Sequence, residues 1–588
     1  MKRTSRWYTI VVLAIVFGEA VLVASLTRFT SEKPVPAFRP FAAKVPLALG
    51  SNLPPAGSSL FDRLMGDHAG GQIPFPFSKL LASLSSAAGC ANDCYQAVLI
   101  PLGRSLQRTA AGSEFFKFPR KVVAFNGNAK SNGHFPLLKD RLYLGYQEKA
   151  NLIEVISFNE IAGRFEFQVV KNYRAGAEPQ VFYANRFVCT SCHQHQTPIF
   201  SRQVWDETNA NPEIAKRLAD AHGDADGLPI RVGVDVPNAL DDATDRANLL
   251  PAYELLWRDG CKDNRRCRAR ALVAALQYRL TGERSFDFQS ASFQQDFLIP
   301  FENNWQLNWP NGLKIPSNDI PNRDPLQFAD SERLAHVPAR FEALLPRGHK
   351  EIWQWETDRF RLIKGIGEFF SANDIRLIAS KLAIALDNKN AVDAMLQSPG
   401  FAALDQAIEA MLIDPAGQVA LDQPTIQREL LRDALLRALG IVDVQICCKG
   451  DSGLPPAKVD EDELTPMALA DVGLNNFYAH CARCHATREA FPPNFMYGKS
   501  DDVQSNLRRC ADRIYFRLTM WQVAPELRPK TPMPPESAMA MYADHWANSD
   551  ALTAMRAYVS PYVDAPLKHT PDKWLGRSYE TLRSCALH

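Results

Sequence analysis

The sequence predicts a multidomain α+β protein: a mixed, β-containing N-terminal domain, a helical middle region and an all-α C-terminal domain. Three observations predict it. Leu142–Tyr146 and Phe165–Val170 cluster aromatic and β-branched residues in strand fashion. Residues 351–440 carry helical periodicity, as does the stretch Ala468–His485. At roughly 150 residues per domain, 588 residues make three or four domains.

With 46% hydrophobic and 22% charged residues, the chain is neither disordered, collagen-like nor a polytopic membrane protein. Lys plus Arg (66) nearly cancels Asp plus Glu (65), so no basic surplus attracts phosphate backbones and no nucleic-acid partner is expected. Forty prolines predict stiff connections, and ten tryptophans with 33 phenylalanines supply apolar area for several cores.

Residues 1–30 form a unit of their own. Lys2, Arg3 and Arg6 precede an almost unbroken apolar run from Ile10 to Leu26, interrupted in its middle by Gly18 and Glu19, which reads as an export signal. Val23-Ala24-Ser25 offers a small-residue cleavage site; uncleaved, residues 8–27 anchor the chain in the inner membrane. In both cases the positive end stays in the cytoplasm and the rest is periplasmic. Residues 31–75 read as a linker, and 76–260 as the first domain.

Twelve cysteines in an exported chain suggest disulfides, but four stand in a pattern disulfides do not need. Cys189-Thr190-Ser191-Cys192-His193 and Cys481-Ala482-Arg483-Cys484-His485 are both C-x-x-C-H, a pair that chance would produce with odds on the order of one in 10⁵. Two thiols three residues apart share one side of a helical turn, and the His four residues from the first Cys lies on the same side. The thiols form thioethers with haem vinyl groups, and the imidazole becomes the proximal iron ligand. Two covalently bound haem c groups are therefore expected, on Cys189 and Cys192 with His193, and on Cys481 and Cys484 with His485. A redox disulfide or half a zinc site is the alternative for each pentad. The first lacks reason to repeat with a trailing His, and the second lacks further Cys pairs.

Around the second pentad, residues 464–563 resemble a class I cytochrome c domain. Gly473 and Phe477 stand ahead of Cys481 as that family places Gly and an aromatic residue. Pro492-Pro493-Asn494-Phe495 lies where the family has a proline whose carbonyl accepts the proximal imidazole N–H, a bond that fixes the tautomer. Leu552, Met555 and Tyr558 mark a closing helix, Asp550–Tyr558, similar to the family's terminal helix. Thr531-Pro532-Met533-Pro534-Pro535 looks like the loop that presents a distal methionine, which the resemblance assigns to Met533; Met496, Met520, Met539 and Met541 compete. A His/Met pair raises the potential into a range useful for electron transfer.

The first pentad has no such frame. Strand-like segments ending in a C-x-x-C-H resemble the sheet-based cytochromes c prime; an irregular haem-binding domain of mixed structure is the alternative. Candidates for its sixth ligand are His195, His222, His134 and Met65, or an open position. His195 follows the proximal ligand too closely to reach the opposite haem face, and Trp205-Asp206-Glu207 reads best as a core indole with polar neighbours.

The remaining cysteines are Cys90, Cys94, Cys261, Cys267, Cys447, Cys448, Cys510 and Cys585. Eight allow 105 pairings; proximity favours Cys90 with Cys94 and Cys261 with Cys267, and Cys510 with Cys585 would staple the tail, 564–588. Residues 261–350 read as a Pro-rich connector, densest in Pro, Asn and Asp over 296–346. Residues 351–450 read as helical: Ser371–Asp374 is a capping-box start with Asp in place of Glu, followed by an apolar face through Ile375, Ile378, Leu382 and Leu386, and Ile426–Leu439 repeats the pattern.

No nucleotide loop, zincin helix or serine nucleophile elbow is present, so the haems carry the chemistry. The functional expectation is a dihaem c-type cytochrome acting in electron transfer at the periplasmic face of the inner membrane, with a redox partner protein that the sequence does not identify. The alternatives are a haem enzyme similar to the dihaem peroxidases or rubber oxygenases, with an open first haem, and a haem-based sensor or scaffold. Those enzyme families hold both haems in class I folds and bring their motifs closer than the 292 positions between Cys189 and Cys481.

Overall fold

The computed structural model describes residues 53–564 apart from 69–71, 91–93, 102–104, 106, 108–109, 128–135, 191, 201–206, 222–224, 234, 320–348, 387–391, 442–457, 459–471, 487–492, 525–526 and 536–545, and also 579, 582–583 and 585. The export segment lies outside the described residues. Among those described, no helix is long and apolar enough to cross a membrane.

Six strands, β1 (Tyr95–Ile100), β2 (Arg120–Phe125), β3 (Leu142–Gln147), β4 (Leu152–Asn159), β5 (Arg164–Lys171) and β6 (Gln180–Tyr183), pair antiparallel in sequence order. The β4–β5 turn holds Gly163 at φ +61°, and a Cβ there would sit 2.8 Å from Thr425 Cγ2, so conformation and space both demand glycine. The register sets Tyr143 beside Ile156, Ile156 beside Phe167 and Phe158 beside Phe165 on one face. Leu144 beside Val155 and Ile153 beside Val170 occupy the other. Both faces are covered, so all six positions of β3 are buried and its sequence clusters rather than alternates.

Two helices, α1 (Leu60–His68) and α2 (Phe77–Ala87), cover the second face. The expected linker over 31–75 is thus corrected for its last part: Phe61 and Leu64 of α1 are fully buried, and the Phe61 N–H donates to Ser157 Oγ at 2.9 Å. Only four of its nine residues need be apolar to seal that face, too short a pattern for periodicity to announce.

The first face packs on helices that run through residue 439. The short α3 (Arg186–Thr190) and α4 (Pro212–Asp220) lead to the long α5 (Asp235–Leu255). Where a Pro-rich connector was expected over 261–350, α6 (Arg265–Leu280) is a largely buried helix, α7 (Ile299–Asn308) buries Phe301 and Trp305, and β7 (Leu313–Pro316) pairs with β8 (His349–Trp353). Helix α6 hides on nearly every side, including Arg268, whose Nη1 donates to Leu421 O at 2.7 Å. A helix without a solvent face has no amphipathic signature. The expected boundary between 76–260 and 351–450 also dissolves, because sheet and helices share one core.

After α8 (Arg361–Gly367), Ser371 and Asp374 close the expected capping box at the start of α9 (Ala372–Lys381), and Ile375, Ile378 and Leu382 are buried. The helix stops before Leu386. Asp374 also binds Arg428 and Arg432 of α10 (Arg428–Ala438) at 2.6 and 2.7 Å, so one carboxylate caps one helix and ties down another.

A separate C-terminal core holds α11 (Val472–His485), α12 (Ser500–Arg509), α13 (Ala511–Thr519) and α14 (Asp550–Val559). Phe477 of α11 meets Tyr558 of α14 edge to face, ring centres 5.7 Å apart. The expected tail belongs to this core: Cys585 is bonded to Cys510, and Arg513 Nη2 donates to Leu582 O at 3.1 Å. Cys90–Cys94 and Cys261–Cys267 are the other disulfides of the described residues, and Cys447 and Cys448 lie outside them. The fold is a mixed, multidomain α+β arrangement, as expected.

Candidate functional site

The first pentad begins on α3, directly after the edge strand β6. The His193 N–H donates to Cys189 O at 2.9 Å, extending the turn so that Cys189 and His193 stack on one side. Gln196 then adopts φ +60°, reversing the chain, and Thr197 O comes to 2.8 Å from His193 Nδ1. The His193 ring lies against Phe167 of the sheet, centres 5.4 Å apart. Arg186, one turn before, donates to Phe165 O at 2.8 Å and to Glu166, and burial brings its guanidinium down to about 10.

The second pentad ends α11. His485 Nδ1 lies 2.6 Å from Pro493 O, the carbonyl segment expected from the sequence, and Phe495 stacks on the ring with centres 4.2 Å apart. Burial first, then the nearby Arg517 charge, hold the His485 imidazole down at about 4 against the opposing Pro493 bond, so the ring is neutral. Burial likewise pushes the Cys481 thiol up. In both pentads a backbone carbonyl takes Nδ1, which leaves Nε2 as the nitrogen that could ligate a metal. None of the four pentad cysteines is in a disulfide.

Met533 sits on a loop gripped from α13 and the turn after it. Its N–H donates to Arg517 O at 3.1 Å, Arg517 Nε donates to Thr531 O, and Trp521 Nε1 donates to Pro534 O at 3.0 Å. Arg517 thus holds this loop, and its charge reaches His485. The competitor Met496 is buried, its N–H donating to His485 O at 2.9 Å, and Met520 is buried. Met539 and Met541 lie outside the described residues.

For the first pentad the structure corrects one ligand candidate. Met65 belongs to the cluster on the sheet face opposite Phe167, so the sheet separates it from His193. His134, His222 and Trp205 lie outside the described residues, while Glu207 is buried. His195 is half-buried in the turn that carries His193.

The two pentads, 292 positions apart, are brought together. Helix α3 packs on α11, Cys192 lies against the C-terminal core, and Gln194 Nε2 donates to Thr531 Oγ1 at 3.4 Å. Nothing in the sequence announced this junction or the carbonyl of Thr197; only the turn-forming Gln196-Thr197-Pro198 hinted at a reversal. Buried polar atoms without a hydrogen bond of good geometry also gather here, among them Arg517 Nη2 and Trp546 Nε1. Trp546 lies against His480, the residue before Cys481, ring centres 4.5 Å apart.

Outside the pentads, Asp241 and Asp245 of α5 and Asp319 bring carboxylate oxygens within 4.8 Å of one another. Burial, then the neighbouring Asp245 and Asp319, push Asp241 up to about 6, and Lys350 pairs with Asp245. No protein-family model matches the chain, and no curated protein or solved structure matches it significantly.

Proposed function

We propose that this chain is an exported dihaem c-type cytochrome that passes electrons at the periplasmic face of the inner membrane. Cys189 and Cys192 hold one haem with His193 as iron ligand; Cys481 and Cys484 hold the other, between His485 and Met533. The reading takes residues 464–563 as a class I cytochrome c-like domain and the first haem site as an irregular one at the edge of the sheet. The export segment carries the location, and the redox partner is a protein.

One observation carries the reading: two C-x-x-C-H turns, each with its histidine Nδ1 held by a carbonyl downstream, stand on helices that pack against each other. A thioredoxin-like disulfide has no use for that carbonyl, whereas a metal-ligating imidazole needs it to fix the ring, and a zinc site would need further Cys pairs that the sequence does not offer. Haem, when bound, supplies the one-electron chemistry. The chain's own residues do the rest. Burial keeps His485 neutral and ready to ligate, Phe495 stacks on its ring, and the buried Arg517 Nη2 and Trp546 Nε1 donors lack acceptors of the kind a propionate brings. The packed junction sets the two sites side by side, which a carrier needs to move an electron from one to the other.

Redox titration of the purified protein, followed by electron paramagnetic resonance and carbon monoxide exposure, tests this. A carrier gives two low-spin signals and no carbon monoxide adduct at neutral pH. A high-spin signal from the Cys189/Cys192 haem, with rapid peroxide-driven oxidation of a reduced cytochrome, would replace the carrier by the peroxidase-like alternative.

A further inference from the structure

We infer that Asn248, on α5 and 55 positions after His193, is a positioning residue for the first iron ligand, acting through Thr197; this rests on reading Cys189–His193 as a haem site. Asn248 and Thr197 are both buried, 3% and 1% exposed. Thr197 faces two ways. Its carbonyl takes His193 Nδ1 at 2.8 Å, and its hydroxyl donates to Asn248 Oδ1 at 3.0 Å. The Asn248 amide is fixed in turn, because its Nδ2 donates to Pro316 O at 2.6 Å at the end of β7. That bond decides the amide orientation, leaving Oδ1 for Thr197.

The second site explains why such a clamp is needed. There the accepting carbonyl belongs to Pro493, whose ring limits its own φ, inside a segment rich in proline. The first site's acceptor sits in a turn that depends on Gln196 at φ +60°, a conformation that side chains other than glycine resist. Without Asn248, the Thr197 carbonyl is free to swing. The strength of the Nδ1–H bond governs how much electron density the imidazole gives its metal, so the clamp sets the potential of the first haem.

The test uses the mature full-length protein, in which a haem on the Cys189 peptide is first verified by mass spectrometry; its absence there refutes the haem reading itself, not the clamp. Thr197→Val keeps the carbonyl and removes the hydroxyl, Thr197→Ser restores it, and Asn248→Leu removes the acceptor. Thr197→Val and Asn248→Leu are expected to raise the midpoint of the first haem and shift its g values, with Thr197→Ser close to wild type and the second haem unmoved. The double variant should shift no further than either single one. An unchanged first midpoint in Thr197→Val, or equal movement of both haems, overturns the inference. The Thr197 pair decides the matter even where a buried leucine at 248 prevents folding.

Discussion

Gln194 Nε2 donates to Thr531 Oγ1 at 3.4 Å, joining the turn behind the first pentad to the loop that carries Met533. A polar link between two otherwise distant sites is informative because each partner needs its own loop in place. Both loops are anchored elsewhere, the first by Asn248 and the second by Arg517 and Trp521. The expected stoichiometry follows from two complete and equally supported pentads. Peptide mass spectrometry should find one haem mass on the Cys189/Cys192 peptide and one on the Cys481/Cys484 peptide, and a bare Cys189 peptide in matured protein contradicts the dihaem reading.

Met533→Ala should abolish a weak sulfur-to-iron charge-transfer band at the red edge of the oxidised spectrum and lower the potential of the second haem. Met496→Ala should leave the band in place, because Met496 is held on the His485 side of the site, its N–H bonded to His485 O. If Met496→Ala is the variant that loses the band, the loop assignment is wrong.

Asp374→Asn should destabilise the main core by about 3–5 kcal/mol, since two buried guanidinium groups lose their counter-charge. Burial alone lifts this carboxyl, but Arg428, Arg432 and Ser371 outweigh it and hold it below the usual aspartate range. A depressed folded value means stability that is complete above the unfolded value, near 4, and lost as pH falls through the folded one. Denaturant midpoints between pH 5 and pH 2 should therefore drop more steeply for wild type than for the variant.

Glu254 gives the opposite sign. It is buried in the main core, accepts from the Ile426 N–H at 2.7 Å, and burial pushes it up to about 8. A raised carboxyl contributes stability that is complete below its unfolded value, about 4.5, and lost as pH rises toward 8. Glu254→Gln should flatten that decline and make the variant the more stable form at pH 9. A wild-type midpoint constant from pH 5 to pH 9 would show that Glu254 does not carry this dependence.

The parts of this molecule that speak through local pattern were readable in advance. Two pentads, the Ser371–Asp374 cap, the strand segments 142–146 and 165–170 and the nearest-neighbour disulfides each lie within a few residues of chain. What escaped depends on partners far away in sequence. Helix α6 has the sequence RRCRARALVAALQYRL, which shows no clean polar stripe because two of its arginines are buried: Arg268 against Leu421 O, Arg270 against Asp405 and Glu409. Pro300 opens α7 instead of interrupting it, so a proline-dense stretch concealed a helix that buries Phe301 and Trp305. At the site, Cys, His and Met were visible as types, whereas the Thr197–Asn248 clamp and the pentad junction exist only once the chain has folded.

Synthesis runs from the N-terminus, and that direction makes the clamp on Thr197 a matter of timing. The Cys189 pentad leaves the ribosome almost 300 positions ahead of its counterpart, yet the groups that finish its surroundings arrive later: Asn248, then Pro316, and last the helix ending at His485. The second pentad is followed within about fifty positions by both its carbonyl and its methionine loop. The earlier site is thus the one that waits longest for its surroundings, and a chain truncated after residue 450 would retain the first pentad and its clamp but leave Cys192 without the surface it rests on.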